Sequence, residues 1–185
     1  MTARARDGGR GVAEAPRPRG PTRVLVIGYG NALRTDDGVG WHAARMLVGD
    51  PRLGEAGVVA EHQLEPELAF DMSTAGLVIL VDASTATPPG TVTVRRLAEP
   101  AGVAPAAGPG ASSHHIDPEL LLALARELYG AAPEAFVVSV GVAEMGPGES
   151  LTPPVGAALP AVADTVARLI AEHAGRVAGR PRESA

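Results

Sequence analysis

Three short stretches of this sequence carry side chains that could do chemistry. GYGNALRTDDGVG, residues 28–40, holds the paired aspartates Asp36 and Asp37; the apolar run Leu77 to Val81 ends at Asp82; and Ser112-Ser113-His114-His115 precedes a leucine-rich stretch. Two carboxylates and one imidazole suit a divalent first-row metal with open coordination positions, nickel or zinc, without any thiolate. A metal held that way polarises a peptide carbonyl or activates water.

Each group also has a plainer explanation. Asp36 or Asp37 stands where a helix N-cap is expected, although capping does not need both. Asp82 could cap the turn after its strand, and one of the two adjacent histidines could simply enter the helix. His42, next to Trp41 on a helix, reads as structural or solvated, whereas His62 falls on the rim of the possible site. Gly28-Tyr29-Gly30 begins a dinucleotide fingerprint, and Glu61 could serve as its acidic residue. Leu33, however, replaces the third glycine, which permits close helix-to-strand packing in that motif.

Composition removes several chemistries. The 185 residues contain no lysine and no cysteine, which excludes Schiff-base catalysis, a P-loop lysine, thiol nucleophiles, Cys-ligated metals and disulfides. A formal net charge of -5 disfavours a nucleic-acid backbone as partner, so a protein or small-molecule substrate fits better. No apolar stretch is expected to span a bilayer and no secretory signal opens the chain, so the protein reads as soluble and cytoplasmic. The Arg/Gly/Ala/Pro-rich residues 1–21 and the end, 175–185, read as disordered tails around one domain at 22–174.

The elements that would position the polar groups alternate. Val24 to Ile27 and Leu77 to Val81 are continuous apolar runs, the pattern of strands buried on both faces of a parallel sheet; Phe136 to Val142 is another, and Val58 to Glu61 a weaker one. Thr91 to Leu97 alternates and follows Pro88-Pro89-Gly90, which predicts an edge or antiparallel strand. Helices are predicted from Val39 to Leu47, over a short span from Glu65 to Met72, from Ile116 to Tyr129, and from Val155 to about Glu172, with residues 99–111 as a loop. The alternation gives an α/β fold, a three-layer α/β/α sandwich around a mainly parallel twisted sheet. Ligands then gather at the carboxyl ends of the strands, where the Asp36-Asp37 pair, Asp82 and the histidine pair could converge.

The pattern resembles the hydrogenase maturation endopeptidase family. VLVIGYGNALRTDDGVGWHAARML, residues 24–47, is similar to that family's opening signature Gly-x-Gly-Asn-x-Leu-x-x-Asp-(Asp/Glu)-x-x-Gly. Further similarity lies in His62-Gln63-Leu64-Glu65-Pro66-Glu67-Leu68, in Leu77 to Ala83, in Ser113-His114, and in Gly148-Glu149-Ser150-Leu151-Thr152-Pro153. The resemblance covers about Arg23 to Glu172.

The resemblance implies a metal-binding triad of Asp37, Asp82 and His114, with His115 as the alternative ligand. It also implies an endopeptidase that removes the C-terminal extension of a hydrogenase large-subunit precursor. Nickel would be carried by that substrate, and no organic cofactor is implied. Asp37 and Asp82, with Asp36 as second choice, would be the catalytic carboxylates, by an aspartic-type or a nickel-assisted route. Substrate contacts are expected at Gly30, Asn31, His62, Gln63 and His115. Many relatives have an Asp-Gly-Gly-Thr segment where this chain has His62-Gln63-Leu64-Glu65-Pro66, a form shared by another subset, so this loop bears on which precursor is processed. The rival from another class is a non-catalytic, nickel-dependent assembly checkpoint that binds the precursor without cutting it.

Overall fold

A computed structural model describes residues 23–98, 116–131 and 133–179 of the chain. Five strands, β1 (Val24–Tyr29), β2 (Gly57–Glu61), β3 (Leu77–Ser84), β4 (Val92–Arg96) and β5 (Glu134–Gly141), form one sheet in the order β2-β1-β3-β5-β4. All pairings are parallel except β4 with β5, which is antiparallel and closes one edge. The edge strand predicted from alternation is therefore an antiparallel one, and its outer residues are exposed.

Helices cover both faces, because successive strand residues point to opposite sides. Val24 and Val26 of β1 and Leu77, Ile79 and Val81 of β3 pack beneath α1 (Val39–Leu47) and α5 (Leu159–Ala178). Leu25 and Ile27 of β1 and Val78 and Leu80 of β3 pack beneath α2 (Leu68–Ser73) and α3 (Pro118–Tyr129). Both faces of the central strands are thus dry, which is why they read as unbroken apolar runs. The three-layer sandwich expected from the sequence is present.

Some boundaries differ. The single last helix is two: α4 (Pro153–Gly156) and then α5, whose second residue, Pro160, suits a first turn where backbone N–H groups have no helical partner. Beyond the expected domain edge at 174, α5 continues to Ala178, and Arg176 in its last turn donates to Glu134 at 2.7 Å. The expectation that no stretch could span a membrane also needs correction. Residues Pro153–Ala178 are long and apolar enough by length and composition. In the fold, Val162, Ala163, Val166 and Leu169 lie against the sheet, while Arg168 and Glu172 pair on the outer side at 2.8 Å. This is the amphipathic pattern of a core helix. Helix α3 begins two residues later than expected, at Pro118, because Asp117 is the N-cap and accepts from Leu120 N at 2.7 Å. The expected tail at 1–21 and the expected loop at 99–111 lie outside the described residues.

The start of α1 is pressed onto the sheet. A Cβ built on Gly40 would stand 2.2 Å from the Val81 carbonyl oxygen and 2.3 Å from that of Tyr29, and one on Gly28 would stand 2.0 Å from Gly40 O. These contacts are backbone on backbone, so neither side can yield without shifting helix or strand. Gly40→Ala should therefore lower stability by about 3 kcal/mol in chemical denaturation. In the same measurement Gly175→Ala, at an exposed helical position with open space around it, should stabilise by about 0.5–1 kcal/mol.

Candidate active site

The loop leaving β1 is shaped by backbone before it offers any side chain. Gly30 has φ +137°, and a Cβ there would lie 1.9 Å from the carbonyl oxygen of Asp37, so only glycine lets the chain turn this tightly over the coming helix. Asn31 Oδ1 accepts from Leu33 N at 2.9 Å, a local turn that redirects the chain. A short 3-10 turn, Thr35–Gly38, follows and leads directly into α1. Thr35 occupies φ 47°, a costly conformation for a β-branched residue. It is held there by Thr35 N to Gly148 O at 2.8 Å and by its hydroxyl to Gly146 O at 2.8 Å.

The two adjacent aspartates point to different environments. Asp36 is fully buried, and its carboxylate accepts from Ala143 N at 3.0 Å, Glu144 N at 3.1 Å, Thr152 N at 2.7 Å and Thr152 Oγ1 at 2.9 Å. It joins the loop after β1 to the loop after β5 and to the start of α4. Burial opposes its ionisation, but the four hydrogen bonds outweigh that and hold the carboxyl below its ordinary range. The N-cap role expected for Asp36 or Asp37 is not what the structure shows. Gly38 is the N-cap of α1, with no side-chain capping bond, and Asp36 acts across the molecule instead. Asp37 is partly exposed, and its Oδ2 accepts from Asn31 N at 3.3 Å.

Asp82 lies on β3, next to the end of β1. The parallel register puts Gly28 opposite Val81, so Tyr29 and Asp82 follow side by side on the face that carries α2 and α3. Tyr29 donates its hydroxyl to Asp82 Oδ2 at 2.5 Å, and Ala83 N donates to Asp82 Oδ1 at 2.7 Å. Burial raises the Asp82 carboxyl above its ordinary range; these two hydrogen bonds oppose the rise, and the charge of Asp37 adds to it. Burial first, then the charge and hydrogen bond of Asp82, then the charges of Glu119 and Asp117, hold the Tyr29 hydroxyl far above its usual titration range. Tyr29 is therefore a permanent donor.

Asp37 and Asp82 both lie at the carboxyl end of the sheet, on the loop after β1 and at the end of β3, near enough for the charge of Asp37 to act on Asp82. Here the chain order reverses, because β2 lies on one side of β1 and the later strands lie on the other. Such a switch point is where open α/β sheets form their crevices. Gly30 and Asn31 border this place. His62 and Gln63 are exposed just after β2, at the same end of the sheet and one strand further out. His42, on α1, has its Nε2 buried, and its ring stands edge-on to Trp41 with centroids 5.1 Å apart.

His114 and His115 lie outside the described residues. The described chain resumes at Ile116, which packs on the same apolar cluster as Tyr29. Among the described residues no three His, Asp or Glu side chains form a group that could hold a metal ion. The expected triad would need its histidine to complete it. Two residues escaped the sequence reading. Thr152 is noticed only as part of a similar stretch, and its contact with Asp36 spans 116 residues. Tyr29 reads as the middle of a glycine turn, although the alternation Leu25, Ile27, Tyr29 was a signal for the face it takes.

The resemblance seen in the sequence is matched in three dimensions. The crystal structure of hydrogenase 2 maturation peptidase from a Thaumarchaeota archaeon superposes with a TM-score of 0.60 at 24% identity, over 80% of this chain and 98% of that one. The hydrogenase maturating endopeptidase HybD from E. coli gives 0.60 at 26% identity, over 81% of this chain and 93% of its own. The [NiFe] hydrogenase maturation protease HycI from Thermococcus kodakarensis gives 0.61 at 18%, over 80% and 92%. No family model matches the chain, and no curated protein sequence gives a significant match.

Three of the four donors on Asp36 are backbone N–H groups, so an amide in its place would set an NH2 against a donor. Asp36→Asn should cost about 3 kcal/mol in chemical denaturation at pH 7. Because the folded carboxyl titrates below its ordinary value of 3.8, its contribution is present above that value and lost as the pH falls through the folded one. The stability gap between parent and variant should therefore narrow in acid, and a gap that widened below pH 4 would contradict the assignment.

Proposed function

We propose that this chain is an endopeptidase that removes the C-terminal extension of a nickel-loaded hydrogenase large-subunit precursor. The observation that carries the reading is the meeting of Asp37 and Asp82 at the switch point of a sheet whose solved likenesses include hydrogenase maturation peptidases. The nickel is part of the substrate and not a resident cofactor. Asp37 and Asp82 supply oxygen donors of the kind that, with one imidazole, fits such an ion while leaving positions open. His114 is the proposed third donor and His115 its alternative.

In this reading Asp37 and Asp82 hold the precursor through its metal and set the scissile peptide over the mouth between β1 and β3. An attacking water then needs a base, and the two carboxylates are not equivalent for that task. Asp82, raised by burial, takes up a proton more readily than an ordinary carboxylate, which suits a group that accepts a proton from water and returns it to the leaving amine. Asp37, more open, suits the metal-facing role. Asp36, with no exposed surface and four donors already on its oxygens, serves by holding the loop that carries Asp37. His62 and Gln63, exposed at the rim, are the proposed contacts for the precursor's tail, and Gly30 and Asn31 shape the floor beneath it. The chain is proposed to act in the cytoplasm.

The test is to mix the purified protein with a large-subunit precursor, with and without nickel, and follow the precursor's C-terminus by intact mass spectrometry. Loss of one defined C-terminal peptide from the nickel-loaded form alone is the expected result. Nickel-dependent binding with no change in mass would replace the protease reading with that of an assembly checkpoint. Asp82→Asn should abolish cleavage. Since ionised Asp82 is disfavoured by burial, its contribution to stability falls as pH rises through its raised pKa, so thermal unfolding of the parent should show that loss and the variant should not.

A further inference from the structure

The Tyr29 hydroxyl lies beside the proposed catalytic carboxylate, and its geometry is specific. The ring belongs to the apolar cluster under α2 and α3, a place that phenylalanine would fill equally well. A hydroxyl drawn even partly out of water is costly unless it is bonded, so its presence needs a reason beyond packing. Its partner is one oxygen of Asp82, at 2.5 Å, while the other oxygen takes the Ala83 amide at 2.7 Å. A carboxylate has about four lone-pair positions. One directed donor on each oxygen fixes the plane of the group and leaves one position on each oxygen for a ligand.

We infer that Tyr29 is a positioning residue for the proposed cleavage, orienting the Asp82 carboxylate through its hydroxyl; this rests on the protease reading above. Both groups stand on neighbouring parallel strands, whose register at Gly28 and Val81 sets their spacing. Strands hold such a pair more rigidly than loops do. The Ala83 amide alone, from the residue next to Asp82, would leave the carboxylate free to rotate about its last torsion. The phenol removes that freedom, and orientation of a reacting group is worth far more in the transition state than in the bound state.

The experiment compares the parent with Tyr29→Phe in three measurements: cleavage of the nickel-loaded precursor, thermal unfolding, and proton NMR of the hydroxyl. With only two tyrosines in the chain, the assignment is direct. The expected result is a hydroxyl proton far downfield in the parent and absent from the variant, kcat reduced about tenfold, and KM within about twofold of the parent. The unfolding midpoint should stay near that of the parent. A variant with full kcat overturns the inference, as does loss of kcat matched by a lower unfolding midpoint, which would make the hydroxyl merely structural. Absence of the downfield proton from the parent overturns it as well. If the parent shows that proton but cleaves no precursor, the protease reading itself has failed and the positioning role falls with it.

Discussion

A single buried carboxylate holds the mouth of this molecule in shape. Asp36 takes four hydrogen bonds from a segment that begins 107 residues further along the chain. A charge in that position is tolerable only because every donor is fixed by backbone or by Thr152, so the solvation lost on burial is replaced by oriented dipoles. Removing any of these donors would strand the charge. The loop after β1 and the loop between β5 and α4 therefore form one unit, and the strained Thr35 is carried by the same unit.

Two carboxylates at this end of the sheet have opposite electrostatic circumstances. Asp36 is stabilised as an anion, whereas Asp82, across the mouth, is disfavoured as one by burial and by the charge of Asp37. The first arrangement favours the folded state near neutral pH and the second opposes it. A fold that keeps an unfavourable carboxylate at the end of its central strand must offset it elsewhere, and the Asp36 clamp with the tight glycine contact of α1 on the sheet supplies that compensation. Perturbed carboxylates of the second kind gather at functional sites because chemistry needs a group out of its ordinary protonation state.

Much of this was legible in the sequence, for a definite reason. Strands buried on both faces must be apolar throughout, so β1, β3 and β5 announce themselves, whereas β4 mixes polar with apolar residues because it is an edge strand exposed from Thr93 to Arg96. Asp37 and Asp82 stood out as candidates because the ends of such strands are where open α/β sheets bind ligands. The function of Asp36 was misread because its place beside a helix suggested a local cap, while its true partners are remote in sequence. Tyr29 was passed over because its partner depends on strand register, which no local pattern encodes. The break between α4 and α5 was hidden by an apolar rhythm that continues across it.

The same geometry bears on the nucleotide reading that Gly28-Tyr29-Gly30 invites. In a dinucleotide site the glycines open room for a pyrophosphate between the turn and the start of the helix. Here that room is filled by protein. Gly30 is closed against the Asp37 carbonyl, Gly38 against Ala32, and Gly28 against the first turn of α1. The glycines serve backbone-to-backbone contact, and the missing third glycine of the fingerprint has its packing task done by Gly40 instead. The charges point the same way, since Asp37 and Asp82 stand at the mouth and Asp117 and Glu119 act on Tyr29 from the start of α3. An anionic ligand would meet repulsion from each of them, whereas a cationic centre presented by a substrate would be drawn in and would relieve the unfavourable charge on Asp82.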